Sequence, residues 1–118
     1  MKRLIRSTID ISHIPDENKN GDCFVVALNL VMDNPSYKLV HGIVTGQGVI
    51  SGIQYCHAWV ESGNVVIDDT VDIVIPKDIY YDIGNISITK EYAYKEALER
   101  ALKYETYGPW DSVFADYP

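Results

Sequence analysis

An apolar run at residues 23–33 constrains the fold of this chain more than any other stretch. It reads CFVVALNLVMD, and Asn29 is the one polar side chain before Asp33. Its Ala and Leu content, and the Asp-Asn-Pro that ends it, favour a helix over the alternative of a buried strand; Asp22 would be its N-cap. A helix that is apolar on every side is buried on every side. The run therefore predicts a central helix with Cys23 at its N-terminal tip.

The segments after this helix predict an antiparallel sheet. Apolar stretches bounded by turn residues indicate strands over residues 38–46 and 54–62, and one or two more within 65–76. Gly63 and Asn64 separate two of these stretches, as in a β-hairpin. The sheet would pack against the buried helix, which is an α+β arrangement.

The remaining segments flank this core. Residues 1–12 alternate loosely and predict an N-terminal strand, whereas residues 77–89 look irregular with some strand character. An apolar stripe at helical spacing predicts a C-terminal amphipathic helix over residues 90–105, with Thr89 as its cap. We expect Trp110 and Phe114 to dock the terminal segment on the body.

Length and composition predict one folded domain over residues 1–118. The chain is long enough to bury a core, and 47% hydrophobic with 23% charged residues is typical of globular proteins. The formal net charge of −7 argues against nucleic acid or an anionic membrane surface as the main partner. Protein, peptide and small-molecule partners remain, and we expect a monomer or a small homo-oligomer.

The N-terminus and the two cysteines indicate a cytoplasmic chain. The opening residues are basic but lack the apolar stretch of a signal peptide, and no run has transmembrane length. Thiols stay reduced in the cytoplasm, so Cys23 and Cys56 are expected to be free. Cys56 precedes His57 in a predicted strand and should face the opposite side of the sheet. The residue spacing matches no zinc pattern, and neither a metal nor another cofactor is expected.

Cys23, His57 and Asp68 have the side chains that a thiol nucleophile requires. A helix N-terminus stabilises the thiolate, an imidazole exchanges its proton, and a carboxylate orients the imidazole. A hairpin turning at residues 63–64 places His57 near Thr70 and diagonal to Asp68 on one face. The spacing thus predicts contact between His57 and Asp68.

These motifs resemble the transglutaminase-like branch of the papain-like cysteine enzymes. That branch has a Gly-x-Cys at a buried helix, here Gly21 and Cys23, then a His-Ala-Trp-x-Glu strand that corresponds to HAWVE from His57 to Glu61. A strand ending in Asp-x-Thr follows, here Asp68 to Thr70. The resemblance implies a Cys-His-Asp triad that hydrolyses or transfers acyl groups, chiefly at peptide or amide bonds. It also implies a papain-like fold.

Several neighbouring residues are secondary candidates. Asp69 is an alternative to Asp68 as the orienting carboxylate, Asp22 disfavours the adjacent thiolate, and Trp59 either walls the cleft or packs in the core. The backbone N–H of Cys23 would supply part of an oxyanion hole. Candidates for the second oxyanion donor are Asn18, Asn20 and Gln47.

Three functions follow from this pattern. The first is a small cysteine hydrolase or acyltransferase, of protease, amidase or deamidase type, that acts on a protein or peptide. The second is a non-catalytic binding or inhibitor module of papain-like shape, of the kind that phages and mobile elements encode. The third is a redox or metal role, which requires Cys23 and Cys56 to lie close together.

Overall fold

The predicted central helix is present as α1 (Gly21–Asp33) in the computed structural model, which describes residues 21–46 and 48–118. Its Leu28 and Val31 side chains are fully buried, as an all-apolar helix requires. The helix begins at Gly21, so Asp22 lies inside the first turn and the prediction that it caps the helix is wrong. The predicted N-terminal strand over residues 1–12 lies outside the described residues.

The predicted α+β arrangement is confirmed, with α1 packed on a five-stranded antiparallel sheet. The strand order is β4-β3-β2-β1-β5, and the stretch over residues 65–76 forms two strands. The strands are β1 (Lys38–Thr45), β2 (Gln54–Ser62), β3 (Val65–Asp68), β4 (Ile73–Pro76) and β5 (Thr89–Ala93).

The predicted C-terminal helix is shorter than expected. It spans α3 (Tyr94–Tyr104), whereas Thr89–Ala93 form β5 and pair with β1, so Thr89 caps no helix. The edge of β1 offers unpaired backbone groups, and pairing along it buries the Tyr92 side chain almost completely. These tertiary gains outweigh the helical pattern that residues 90–93 share with α3.

A further short helix, α2 (Lys77–Ile83), replaces the irregular segment expected after β4. A helix of this length is not stable alone in water. It forms here because Tyr80 and Tyr81 pack on Trp59, with ring centroids 5.3 Å and 5.9 Å from the indole. The sequence shows no local sign of this contact.

The two faces of the sheet carry separate apolar clusters. One face packs against α1 and α3, with Leu39, Ile43 and Ala58 in its core. Phe114 is buried in the same cluster and Trp110 packs against it, so the predicted docking of the terminal segment is confirmed. The other face is covered by α2 and holds a smaller cluster around Trp59.

The hairpin of β2 and β3 has the predicted register. Val60 lies opposite Ile67 and Ser62 opposite Val65, across the turn at Gly63 and Asn64. This register brings the end of β3 beside the His57 region of β2.

No helix in the described ranges is both long and apolar enough to cross a membrane.

Candidate active site

The predicted contact between His57 and Asp68 is present at the end of the β2–β3 hairpin. Nε2 of His57 lies 2.8 Å from Oδ2 of Asp68. The Asp68 side chain is 2% exposed, whereas that of His57 retains 13% exposure. The carboxylate is thus enclosed by protein, and the imidazole still reaches solvent.

Asp68 accepts hydrogen bonds from three groups. Besides His57, the Tyr80 hydroxyl donates to Oδ2 at 2.6 Å and the Thr70 backbone N–H donates to Oδ1 at 3.2 Å. Burial alone would raise the pKa of Asp68, but these bonds, led by that from His57, lower it below its usual value. Asp68 is therefore held as a carboxylate in a fixed orientation. Tyr80 was not a candidate from the sequence, because α2 was not foreseen.

Cys23 is the second neighbour of the imidazole. Its side chain acts on His57 as a hydrogen-bond partner and as a charge, while Asp68 occupies Nε2. Burial lowers the pKa of His57, but the bonds to Asp68 and Cys23 outweigh burial and raise it to about 9. The imidazole accordingly favours its protonated form at neutral pH, next to the sulfur.

The position of Cys23 in α1 adds a second source of positive potential. Cys23 is the third residue of the helix, within the turn whose backbone N–H groups have no partner inside the helix. These groups and the helix dipole favour a negative charge on the sulfur, and on an oxygen bound beside it. The candidate oxyanion donors Asn18, Asn20 and Gln47 lie outside the described residues, as does the Asp22 side chain.

Cys56 lies in the core on the face of β2 that packs against α1, as strand alternation predicts. Both cysteines are free, and burial followed by the proximity of Cys23 raises the pKa of Cys56 to about 12. Cys56 is therefore a poor nucleophile. Cys23, at the tip of α1, borders the cavity that Cys56 also lines, so the two thiols share one cavity although Cys56 and His57 face opposite sides of β2.

Two cavities flank the contact between Cys23 and His57. One, of about 330 Å³, is lined by His57, Asp68 and Tyr80 together with aliphatic side chains. The other, of about 820 Å³, is lined by Cys23 and by aromatic and apolar groups. Cys23 lines the larger cavity and His57 lines the smaller one. Tyr55 borders both cavities.

Trp59 and Glu61 have structural positions. Trp59 is fully buried with its ring centroid 6.0 Å from that of His57, so of its two predicted roles it packs in the core and does not wall a cleft. Glu61 is also buried. It accepts hydrogen bonds from the Trp59 indole and the Tyr81 hydroxyl, and Lys77 lies 3.2 Å from its other oxygen. Glu61 thus holds Trp59 beneath the site.

Asp69, the alternative orienting residue, is exposed and Asp68 holds the contact to His57. Among residues 21–46 and 48–118, no three His, Cys, Asp or Glu side chains are grouped to hold a metal ion.

Comparisons with protein-family models, with curated proteins and with solved structures found no match to this chain.

Proposed function

We propose that this chain is a small cysteine hydrolase or acyltransferase that acts on a peptide or amide bond of a protein or peptide. Cys23 would be the nucleophile, His57 the general base and acid, and Asp68 the orienting carboxylate. The observation that carries the proposal is the series Cys23, His57, Asp68, in which the imidazole is hydrogen-bonded to Asp68 and lies close enough to Cys23 for that side chain to raise its pKa. Its order matches the role that each residue type plays in acyl transfer.

The arrangement supports a two-step reaction. The Cys23 thiolate attacks the carbonyl carbon, and the protonated His57 gives its proton to the departing amine as the C–N bond breaks. A thioester on Cys23 and the free amine result. Water, or an acceptor amine, then gives a proton to His57 and attacks the thioester, which releases the acyl product and restores the thiolate.

The placement of the three residues also supports a papain-like core of transglutaminase type. The nucleophile is at the tip of a buried helix that packs on an antiparallel sheet, and the base and the carboxylate lie on neighbouring strands of a hairpin. This is the arrangement that the HAWVE motif and the Asp-x-Thr motif at Asp68 to Thr70 imply. The fold and the site thus favour the same interpretation.

The test is the pH dependence of Cys23 alkylation by iodoacetamide, read residue by residue by mass spectrometry. We expect Cys23 in the native protein to react with iodoacetamide at pH 6, because the protonated His57 beside it activates the thiol. His57→Ala should remove this advantage and lower the rate at pH 6 by at least tenfold. Cys56, a buried thiol in the same chain, serves as the internal control and should stay unreactive. A Cys23 alkylation rate at pH 6 that His57→Ala leaves unchanged would refute the activated nucleophile.

A non-catalytic binding module is the second candidate, and it rests on a different observation. The loop between β1 and β2 exposes three aliphatic side chains, with Val49 fully exposed and Ile50 and Ile53 about half exposed. Exposed apolar groups that cluster beside a cleft are typical of a surface that binds a partner protein. If Cys23→Ala keeps the full biological effect of the chain while Val49→Asp abolishes it, the binding module is favoured over the enzyme.

A further inference from the structure

The cavity next to Cys23 differs from the His57 cavity in its lining and its size. It measures about 820 Å³ and, apart from the two thiols, presents aromatic and apolar groups. None of the described residues that line it has a charged side chain. Such a volume lies within the range of small-molecule and side-chain pockets, roughly 300–1,000 Å³.

We propose that this cavity binds a bulky apolar side chain, of the phenylalanine or leucine class, on the acyl side of the bond that Cys23 attacks. This inference rests on the proposed function and names its substrate class. A lining of mainly aromatic and aliphatic side chains, none of them charged, favours an apolar group over a charged one. Phe24 and Phe114, which are almost completely buried, form part of the aromatic wall of this cavity.

Each of the two cavities would hold one half of the substrate. The acyl carbon becomes bonded to the Cys23 sulfur, so the acyl half belongs in the cavity that Cys23 lines. The leaving amine takes its proton from His57, so it belongs on the His57 side, in the smaller cavity. Tyr55 lies between the two, beside the position of the scissile bond.

The outer wall of the acyl-side cavity is built by the last residues of the chain. Ala115, Tyr117 and Pro118 line it, next to the fully packed Phe114. The Cys56 backbone N–H donates a hydrogen bond of 3.0 Å to the Pro118 carbonyl, which ties this wall to β2. The wall is thus fixed in place, as a pocket that selects by shape requires.

The first experiment measures whether small amides protect Cys23 from iodoacetamide, which requires no turnover. N-acetyl-phenylalaninamide should slow alkylation of Cys23 at least fivefold, at a concentration where the glycine, glutamate and lysine analogues change it less than twofold. The second experiment uses p-nitrophenyl esters of the same N-acetyl amino acids. We expect kcat/KM for the phenylalanine ester to exceed that for the glycine ester by about 10-fold to 100-fold, the worth of burying one large apolar side chain.

Ala115→Trp fills the cavity and should reduce the phenylalanine preference at least tenfold. Its matched control is Val113→Trp, at an exposed position two residues earlier that does not line the cavity, and it should keep the preference. If Ala115→Trp does not fold by circular dichroism, Ile53→Glu replaces it, since it adds a carboxylate to the cavity wall and should also disfavour phenylalanine.

The outcomes separate the two proposals. Esters that acylate Cys23 without a phenylalanine preference, or that favour glutamate or lysine, would overturn the cavity assignment and leave the proposed function intact. Protection by the phenylalanine amide with no ester turnover would support the cavity and refute the enzyme. A phenylalanine preference that the cavity variant retains in full would also overturn the assignment.

Discussion

Tyr80 donates a hydrogen bond of 2.6 Å to Oδ2 of Asp68, the same oxygen that lies 2.8 Å from Nε2 of His57. This bond connects α2, a helix with no fully buried residue, to the centre of the candidate site. Tyr81, the next residue, makes the same kind of bond to Glu61. The helix therefore fixes two buried carboxylates, one in the site and one beneath Trp59.

Replacing Tyr80 by Phe should raise the pKa of Asp68 and lower the stability of the protein. The hydroxyl is one of the groups that hold this pKa low, and its loss leaves a buried carboxylate with one donor fewer. We expect the free energy of unfolding to fall by about 1.5–3 kcal/mol, the usual cost of losing a bond to a charged group. NMR titration of the Asp68 carboxyl and urea denaturation measure the two effects.

Tyr81→Phe is the matched control, because it removes a similar bond from Glu61. It should cost comparable stability but leave the Asp68 pKa and the alkylation rate of Cys23 unchanged. Equal shifts of the Asp68 titration in both variants would mean that Tyr80 has no specific role in positioning Asp68.

Replacing Asp68 by Asn should reduce turnover of the esters far more than replacing Asp69 by Asn. Asp68→Asn removes the negative charge that keeps His57 protonated and can reverse the orientation of the ring, and such losses cost roughly 10²–10⁴-fold in rate. Asp69→Asn changes an exposed neighbour of the same charge and should stay within about threefold. Steady-state kinetics of both variants test this, and a larger loss in Asp69→Asn would reassign the orienting role.

The hairpin with His57 and Asp68 could be predicted because its determinants are local. Gly63 and Asn64 fix the turn, and the turn fixes which residues face each other. The alternation of a strand then determines that His57 and Cys56 lie on opposite faces. Tyr55 lies on the same face of the strand as His57 by the same rule, so its position beside the site also follows from the sequence.

The parts that the sequence did not predict depend on distant contacts. β5 exists because the edge of β1 is free and because Tyr92 is buried there, and no property of residues 89–93 alone distinguishes them from the start of α3. α2 forms because two of its tyrosines pack on Trp59. Strands β3 and β4 lie between Trp59 and these tyrosines in the sequence. The contact of Cys23 with His57 joins residues far apart in sequence, so only the resemblance suggested it.

Replacing Gly42 by Ala should destabilise the protein and disturb the floor of the site. Gly42 lies opposite His57 in the sheet, and a Cβ there would be only 2.5 Å from Cη2 of Trp59. The indole is fully buried, so it has no free space to move into, and overpacking of this kind costs about 1–3 kcal/mol. Urea denaturation followed by tryptophan fluorescence in a Trp110→Phe background measures both effects.

Gly84→Ala is the matched control for this prediction. The nearest atom to its Cβ would be Cγ1 of the flexible Ile86 side chain, at 3.1 Å, and the backbone there needs no positive φ. We expect Gly84→Ala to change the free energy of unfolding by less than about 1 kcal/mol. If Gly42→Ala were as mild as Gly84→Ala, the indole would not be confined by the sheet as described.

His41 should make the protein less stable in acid. Its ring is fully buried among Phe24, Tyr92 and Trp110, and neither nitrogen has a hydrogen-bond partner among the described residues. Burial lowers its pKa to about 3, despite the opposing charge of Asp111, whereas the unfolded chain has a pKa near 6.5. The unfolded state thus binds the proton more readily, and stability falls as the pH drops from about 6.5 towards 3, by up to roughly 4 kcal/mol.

His57 affects the pH dependence of stability in the opposite direction to His41, so the contributions of the two histidines can be measured separately. Its pKa is raised to about 9, so its contribution is complete below pH 6.5 and is lost as the pH rises through 9. Replacing His41 by Phe, which suits the aromatic surroundings, should flatten the acid limb of the melting temperature between pH 6.5 and 4 and leave the alkaline limb unchanged. His57→Gln should do the reverse. Parallel acid limbs in the native chain and His41→Phe would show that the ring is hydrated or paired in solution.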